Sequence, residues 1–252
     1  MTLPVHLVDP TTPLAVGGLV ELTGDEAHHA VAVRRMRVGE ALVLTDGLGR
    51  RATGTVAETG KRRLVVRVDD VATEPEPEPR FTVVQALPKG DRGELAVEVL
   101  TEVGVATVVP WAASRSVAVW KGERAAKSLA RWRSMAREAA KQARRAWFPE
   151  VTELAGTDAV VDLVGHADLA LVLHEEAGTP LPAAPPTGRV VVVVGPEGGI
   201  SAEEVARLVE AGAVPVRLGS EVLRTSTAGL AAVSALLAGT ARWGAPTGGP
   251  QV

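Results

Sequence analysis

The chain contains no cysteine. Disulfides, thiolate metal ligands and a cysteine nucleophile are therefore excluded. No stretch approaches the ~18–20 consecutive apolar residues that a membrane-spanning helix requires. The N-terminus, Met1-Thr2-Leu3-Pro4-Val5-His6, has no basic segment followed by an apolar one, so no secretory signal is expected. Those two absences together point to a reducing cytoplasm. Two familiar phosphate cradles are also missing: neither G-x-x-x-x-G-K-[ST] nor G-x-G-x-x-G occurs. No internal repeat is visible. His28-His29 offers metal-binding chemistry but has no third ligand nearby, so a satisfied histidine pair is expected and no metal site.

What is present is a 252-residue chain, 46% hydrophobic and 23% charged. That is the make-up of a globular protein with one large or two ordinary domains. The net charge of −3 conceals an asymmetry. Between Ala112 and Pro149 stand ten Lys/Arg against Glu123 and Glu138, a local +8, which leaves −11 for the rest. A basic field on an acidic protein suits a polyanionic partner bound on one face.

Short strand-like runs with turn signals between them mark the N-terminal part. They are Val5 to Glu21 (interrupted by Pro10, Pro13 and Gly17-Gly18), Ala41 to Asp46, Arg51 to Glu58 and Leu64 to Val71. That spacing reads as a small β-barrel, with one helix starting at Thr23-Gly24-Asp25-Glu26 and ending near Arg34 to Arg37. Three Glu-Pro pairs in residues 74–79 read as a stiff linker. Beyond it strands and helices alternate. The strands are Phe81 to Leu87, Ala106 to Pro110, Leu169 to Leu173, Val190 to Val194 and Val214 to Leu218. The helices are Glu94 to Glu102, Gly122 to Trp147, Ser201 to Ala211 and Thr227 to Leu237. Near-continuous apolar strands between helices predict an α/β domain, a parallel sheet covered on both faces. The expected boundaries are 1–73 for the barrel, 80–243 for the α/β domain and 244–252 for a flexible tail.

Two strand ends are unusual. Val190 to Val194 breaks into Gly195-Pro196-Glu197-Gly198-Gly199, followed by Ser201 and Glu204 at capping-box spacing. Val214 to Leu218 meets Gly219-Ser220-Glu221-Val222-Leu223-Arg224-Thr225-Ser226-Thr227. The first loop alone suits a tight turn as well as a ligand cradle. Two polar strand-end loops in tandem favour a site, because open α/β sheets bind ligands beyond the carboxyl ends of their strands. His174-Glu175-Glu176 ends another strand and reads as pocket wall. On the long helix, Leu129, Trp132, Ala136, Ala139, Ala143 and Trp147 form an apolar seam. Arg124, Lys127, Arg131, Arg137, Lys141 and Arg144 or Arg145 mark a second face, with few acidic residues for i,i+4 pairing. That face suits either solvent or a nucleic-acid backbone. The barrel's arginines, Arg34 among them, leave the same two readings open.

Taken in order, these residues resemble the RsmE family of SPOUT-class RNA methyltransferases. The resemblance rests on Gly195-Pro196-Glu197-Gly198-Gly199 with Ser201 and Glu204, on Leu218-Gly219, and on Val222-Leu223-Arg224-Thr225 with Thr227-Ala228. It extends to Glu102-Val103-Gly104-Val105, Pro110 and Arg115-Ser116, to Glu138, Gln142, Arg145 and Pro149, and to His29, Val33-Arg34 and Gly39. Two departures stand out. Ser226 occupies a position where the family often has Glu, and Ala143-Arg144 replaces a common Ser-Gly.

The resemblance implies a PUA-like RNA-binding barrel followed by a SPOUT alpha/beta knot, a trefoil-knotted parallel sheet. It implies S-adenosylmethionine held among Leu173 and His174, Gly195, Pro196, Glu197, Gly198 and Gly199, and Leu218, Gly219, Val222, Leu223, Thr225, Thr227 and Ala228. It also implies a homodimer acting on N3 of one uridine (position 1498 class) in the 16S rRNA of the small ribosomal subunit. Arg34, Arg115, Arg131, Arg137, Lys141, Arg144 and Arg145 would contact RNA. Arg224 is the first candidate for stabilising a uracil anion, with Arg115 or Arg145 as alternatives, and Glu197 and Glu221 are candidate bases. A SPOUT 2′-O-ribose methyltransferase and a non-catalytic ribosome-assembly factor are the rival readings.

Overall fold

The computed structural model describes residues 3–244, so the tail expected over 244–252 lies, from residue 245, outside the described residues. The chain forms two compact units. One runs to Glu76 and is joined by Ala140–Phe148; the other holds Pro77–Ala139 and the chain from Pro149 onward.

In the first unit, strands β1 (Val5–Leu7), β2 (Leu19–Leu22), β3 (Ala41–Thr45), β4 (Arg50–Gly60) and β5 (Arg63–Thr73) form one sheet in the order β1-β3-β4-β5-β2. Every neighbouring pair is antiparallel except β1 with β3. Leu42, Leu44, Ala52, Val56, Leu64, Val66 and Val68 point into its core, spaced by two or four along each strand, as a half-buried sheet requires. The single helix expected here is instead two short pieces. Helix α1 (Gly24–His28) passes into a π-helical turn, His29–Val33. The wider turn shows in Arg34 N–H donating to His29 O at 2.9 Å, and it keeps Ala27, Ala30 and Met36 buried.

The return of Ala140–Phe148 to this unit is not visible in the sequence pattern. It has specific ties. Gly49 N–H donates to Ala146 O, Phe148 N–H to Gly47 O, and the Trp147 indole N–H to Glu74 O at 2.9 Å.

The second unit holds strands β6 (Arg80–Ala86), β7 (Thr107–Trp111), β8 (Glu150–Val151), β9 (Leu169–Leu173), β10 (Arg189–Val194) and β11 (Val214–Val216). They form a six-stranded, all-parallel sheet in the order β11-β9-β10-β6-β7-β8. Its helices are α2 (Arg92–Glu102), α3 (Glu123–Gln142), α4 (Thr157–Gly165), α5 (Ala202–Glu210) and α6 (Thr225–Leu237). The valine run of β10 shows why the sheet is doubly covered. Val190, Val192 and Val194 join a core with Leu100 of α2, Trp132 of α3 and Leu236 of α6. Val191 and Val193 join a second core with Val160 and Val164 of α4 and Leu208 of α5. Five consecutive buried valines thus feed two cores on opposite faces, the pattern of a central parallel strand.

Two expectations need correction. Helix α4 was not foreseen: the eight residues between Gly156 and Gly165, three of them valine, carry no clear period, yet Val160 and Val164, four apart, share the buried face. Helix α3 stops at Gln142 instead of running to Trp147. Arg145 N–H reaches back to Ala140 O and Arg144 N–H to Lys141 O, with Arg144 at φ 54. That is a Schellman termination with a left-handed residue at C′. The apolar seam therefore ends with Ala139 and Ala140; Ala143 is exposed and Trp147 lies in the following loop.

Candidate active site

Three strands that lie side by side, β11, β9 and β10, run parallel, so the segments after them emerge at one edge of the sheet. These segments are Leu173-His174, Gly195 to Gly199, and Leu218 to Arg224 leading into α6. The carboxyl end of β6, next to β10, adds Gln85 and Lys89 to the same edge. The fold thus brings together the cofactor-site residues expected from sequence.

Each loop is fixed from within. His174 N–H donates to Val216 O at 3.0 Å, prolonging the β9–β11 pairing by one bond. Gly195 leaves β10 where a side chain would not fit, since an added Cβ would lie 2.7 Å from Ile200 Cγ1. Gly199 closes the turn at φ 71, a backbone that side-chain-bearing residues rarely adopt, and donates its N–H to Pro196 O. Pro196 is buried, while Glu197, Gly198 and Gly199 are exposed. Glu197 Oε1 accepts the Lys89 N–H at 3.1 Å, so this carboxylate ties the loop to the end of β6. Arg115 reaches over the same loop, with Nη1 donating to Gly198 O at 3.4 Å.

The third loop is open: Gly219, Glu221, Val222, Leu223 and Arg224 are exposed, and Leu218 is half-buried against the core. Arg224 is the extended N-cap residue of α6, and its carbonyl accepts the N–H groups of Thr227 and Ala228. Thr225, Ser226 and Ala228 are buried. The Thr225 hydroxyl is consumed inside the fold, donating to Gly195 O at 2.5 Å and accepting from Gln85 Nε2 at 3.2 Å.

Beneath the glycine loop lies a carboxylate whose reach the sequence does not reveal. The capping box at Ser201 and Glu204 forms as its spacing predicts. Glu204 is also the acceptor for Ser114 N–H and hydroxyl, both at 2.8 Å, and for the Thr157 hydroxyl at 3.0 Å. Burial opposes its ionisation, but hydrogen bonds from Ser114 and Ser201 outweigh that and hold its pKa below the ordinary glutamate value. Gln85 was likewise missed; the one signal for it was a lone amide after the valine pair Val83-Val84.

The basic residues separate into groups. Arg115, Arg131 and Arg137 belong to the second unit, and all three are exposed. Arg137 lines an open cleft of about 280 Å³ with Arg133, Pro149, Glu150 and Val151. Arg34, Lys141, Arg144 and Arg145 belong to the first unit. On the stripe, Lys127 pairs with Glu123 of the same helix and Arg131 with Glu94 of α2; beside it, Arg133 pairs with Glu153. Lys141 is a correction. It is buried and its Nζ lies 2.8 Å from Glu26 Oε1, so it belongs to an internal ion pair and not to an RNA-facing surface.

Among the described residues no group of three or more His, Asp or Glu side chains could hold a metal ion, and no helix is long and apolar enough to cross a membrane.

Comparison with known proteins agrees with this geometry. A family model described as an RNA methyltransferase domain matches residues 74–237, and one described as an RNA methyltransferase PUA domain matches residues 22–69. The chain is 47% identical over 235 residues to the ribosomal RNA small subunit methyltransferase E of Mycobacterium bovis, covering 91% of this chain and 90% of that one. The Bacillus subtilis protein of the same name is 31% identical, over 85% and 88%. Among solved structures, the ribosomal RNA small subunit methyltransferase E of Neisseria gonorrhoeae, bound to S-adenosyl methionine, superposes with a TM-score of 0.84 at 29% identity, covering 94% of this chain and 97% of that one. The two domain matches and the 47% identity over 91% of the chain, on a PUA-type β domain ahead of a doubly covered parallel sheet, place this chain in the RNA methyltransferase family of ribosomal RNA small subunit methyltransferases E.

Proposed function

We propose that the protein methylates N3 of a single uridine, of the position 1498 class, in the 16S rRNA of the small ribosomal subunit, with S-adenosylmethionine as donor. The carrying observation is the convergence of Leu173-His174, Gly195–Gly199 and Leu218–Ala228 at one sheet edge. The donor fits that edge. An added Cβ at Gly199 would meet nothing within 4 Å, so the loop leaves open space, and the first turn of α6 favours groups that accept hydrogen bonds from backbone N–H. When bound, the donor supplies a methyl group on a sulfonium, already activated for transfer.

The chain's own task is then alignment and management of one proton. N3 of uracil carries a hydrogen, and its loss puts negative charge on O2 and O4. Arg224, exposed at the head of α6, is the group assigned to stabilise that charge. Glu197 is occupied with Lys89 N–H, which leaves Glu221, exposed in the third loop, as the carboxylate to receive the proton. Arg115 and Arg137, with Arg34, Arg144 and Arg145 of the first unit, would hold RNA phosphates. A homodimer, a cytoplasmic location and a trefoil-threaded chain at the three loops belong to the same proposal.

Mass spectrometry of small-subunit RNA after incubation with S-adenosylmethionine tests it. One base-methylated uridine is expected; methyl on a ribose 2′-hydroxyl would replace this reading with that rival. Calorimetry with S-adenosylmethionine excludes a purely RNA-binding role if heat of binding is seen. Arg224→Ala should retain that binding and lose methylation by 100-fold or more, on the order of one removed charge stabiliser. Normal turnover would remove Arg224 from the mechanism.

A further inference from the structure

At the floor of the site lies a directed chain of three hydrogen bonds. Gln85, on β6, is 1% exposed. Its Nε2 donates to Ala86 O at 3.1 Å and to Thr225 Oγ1 at 3.2 Å; Thr225 Oγ1 in turn donates to Gly195 O at 2.5 Å. The direction is fixed by chemistry alone. Ala86 O and Gly195 O are carbonyls and can only accept. The amide must therefore turn its nitrogen toward Ala86 O, and the single hydroxyl proton of Thr225 must point at Gly195 O. The hydroxyl can then only accept from Gln85. The same orientation leaves Gln85 Oε1 buried with no hydrogen-bond partner among the described residues. A buried orphan acceptor is costly, and turning the amide over would remove both donations.

We propose that Gln85 is a positioning residue for Arg224. By donating a hydrogen bond to Thr225 Oγ1 it directs the Thr225 hydroxyl onto Gly195 O, which locks the first residue of α6, and with it the adjacent Arg224, against the start of the glycine loop. The inference rests on the proposed role of Arg224 at the uracil. It gives one polar side chain, ending a strand that carries no other site residue, control over how the donor loop and the anion-stabilising arginine are spaced.

Gln85→Glu tests the direction of the chain as distinct from its bulk. A carboxylate keeps the shape but can only accept, so it draws the Thr225 proton away from Gly195 O. A buried Glu has its pKa raised, and its neutral form regains one O–H to donate. Single-turnover methylation by the variant, divided by wild type at each pH, should be reduced tenfold or more at pH 8. It should recover partly as pH falls toward 6, with affinity for S-adenosylmethionine within threefold of wild type. A ratio that stays flat with pH, or a loss confined to cofactor affinity, overturns the proposal. Thr225→Ser, which keeps the hydroxyl, should retain activity within threefold, whereas Thr225→Val should lose tenfold or more in turnover. If both turn over equally, the relay has no role, whatever the fate of the Gln85 variant. Wild type that binds no S-adenosylmethionine would instead sink the underlying functional reading, a result distinct from all of these.

Discussion

The Glu204 carboxylate receives both the backbone N–H and the hydroxyl of Ser114, each at 2.8 Å, across 90 residues of sequence. The same carboxylate takes the Thr157 hydroxyl and both polar groups of Ser201. It thereby joins the segment leading to Arg115, the start of α4 and the start of α5, directly after the glycine loop. An acceptor-only group with two oxygens is needed to take this many donors.

Glu204→Ala should therefore cost about 3 kcal/mol, since it leaves several half-buried donors without acceptors. Denaturant unfolding at neutral pH measures this. The pH dependence has a definite sign. Because the folded-state pKa is below the ordinary value, ionised Glu204 contributes stability above the unfolded pKa and loses it as pH falls through the folded one. Glu204→Gln should be less stable near pH 7 and show a shallower loss on the acid side than wild type. Parallel curves would remove Glu204 from the acid response.

Lys141 and Glu26 give a second expectation. Burial opposes ionisation of Glu26, but hydrogen bonds from His6 and Lys141 prevail and bring its pKa from 4.5 to about 2. The corresponding stabilisation, weakened by solvent screening of this partly exposed pair, is complete above the unfolded value and is lost as pH falls through about 2. Lys141→Ala removes the lysine partner of the half-buried Glu26 carboxylate, which keeps His6, and should cost about 1.5–3 kcal/mol in thermal or denaturant unfolding. RNA affinity of the folded variant should keep the wild-type salt dependence.

Arg137 provides the contrast. Its side chain is exposed and lines the cleft beside β8. Arg137→Ala should change stability by no more than about 0.5 kcal/mol. It should weaken RNA binding and reduce the slope of log affinity against log salt by about 1. Filter binding across a salt series distinguishes the two variants. An unchanged slope for Arg137→Ala would place the RNA elsewhere.

Why Lys141 and Arg137 look alike in sequence and differ in the fold is instructive. They sit four apart on one helix, and periodicity assigns them one face. Periodicity cannot see that the final turn of α3 belongs to the first unit, where Glu26 waits. The same limit explains Glu204. Its capping box is local and was read directly, whereas Ser114 and Thr157 arrive through tertiary structure. The β10 valines, the paired strand-end loops and the glycine turn were legible because each depends on neighbours in sequence. Helix α4 was not, since valines in a nine-residue run suit strand and helix alike.

Arg144 joins a local rule to a functional cost. It sits at φ 54, the left-handed C′ position that ends α3. The family it resembles commonly has glycine there, the residue with no Cβ penalty in this conformation. Arginine in its place carries a strain of about 1 kcal/mol and adds an exposed positive charge. Arg144→Gly should thus raise stability by no more than about 0.5 kcal/mol, measured by denaturant unfolding, because the strain of about 1 kcal/mol is partly offset by the entropy glycine adds to the unfolded chain. It should also lower RNA affinity and shorten the salt slope, as expected for one lost phosphate contact. Opposite signs for stability and affinity in one substitution would identify Arg144 as a residue kept for its charge. A gain in stability with unchanged RNA binding would leave the strain without a function.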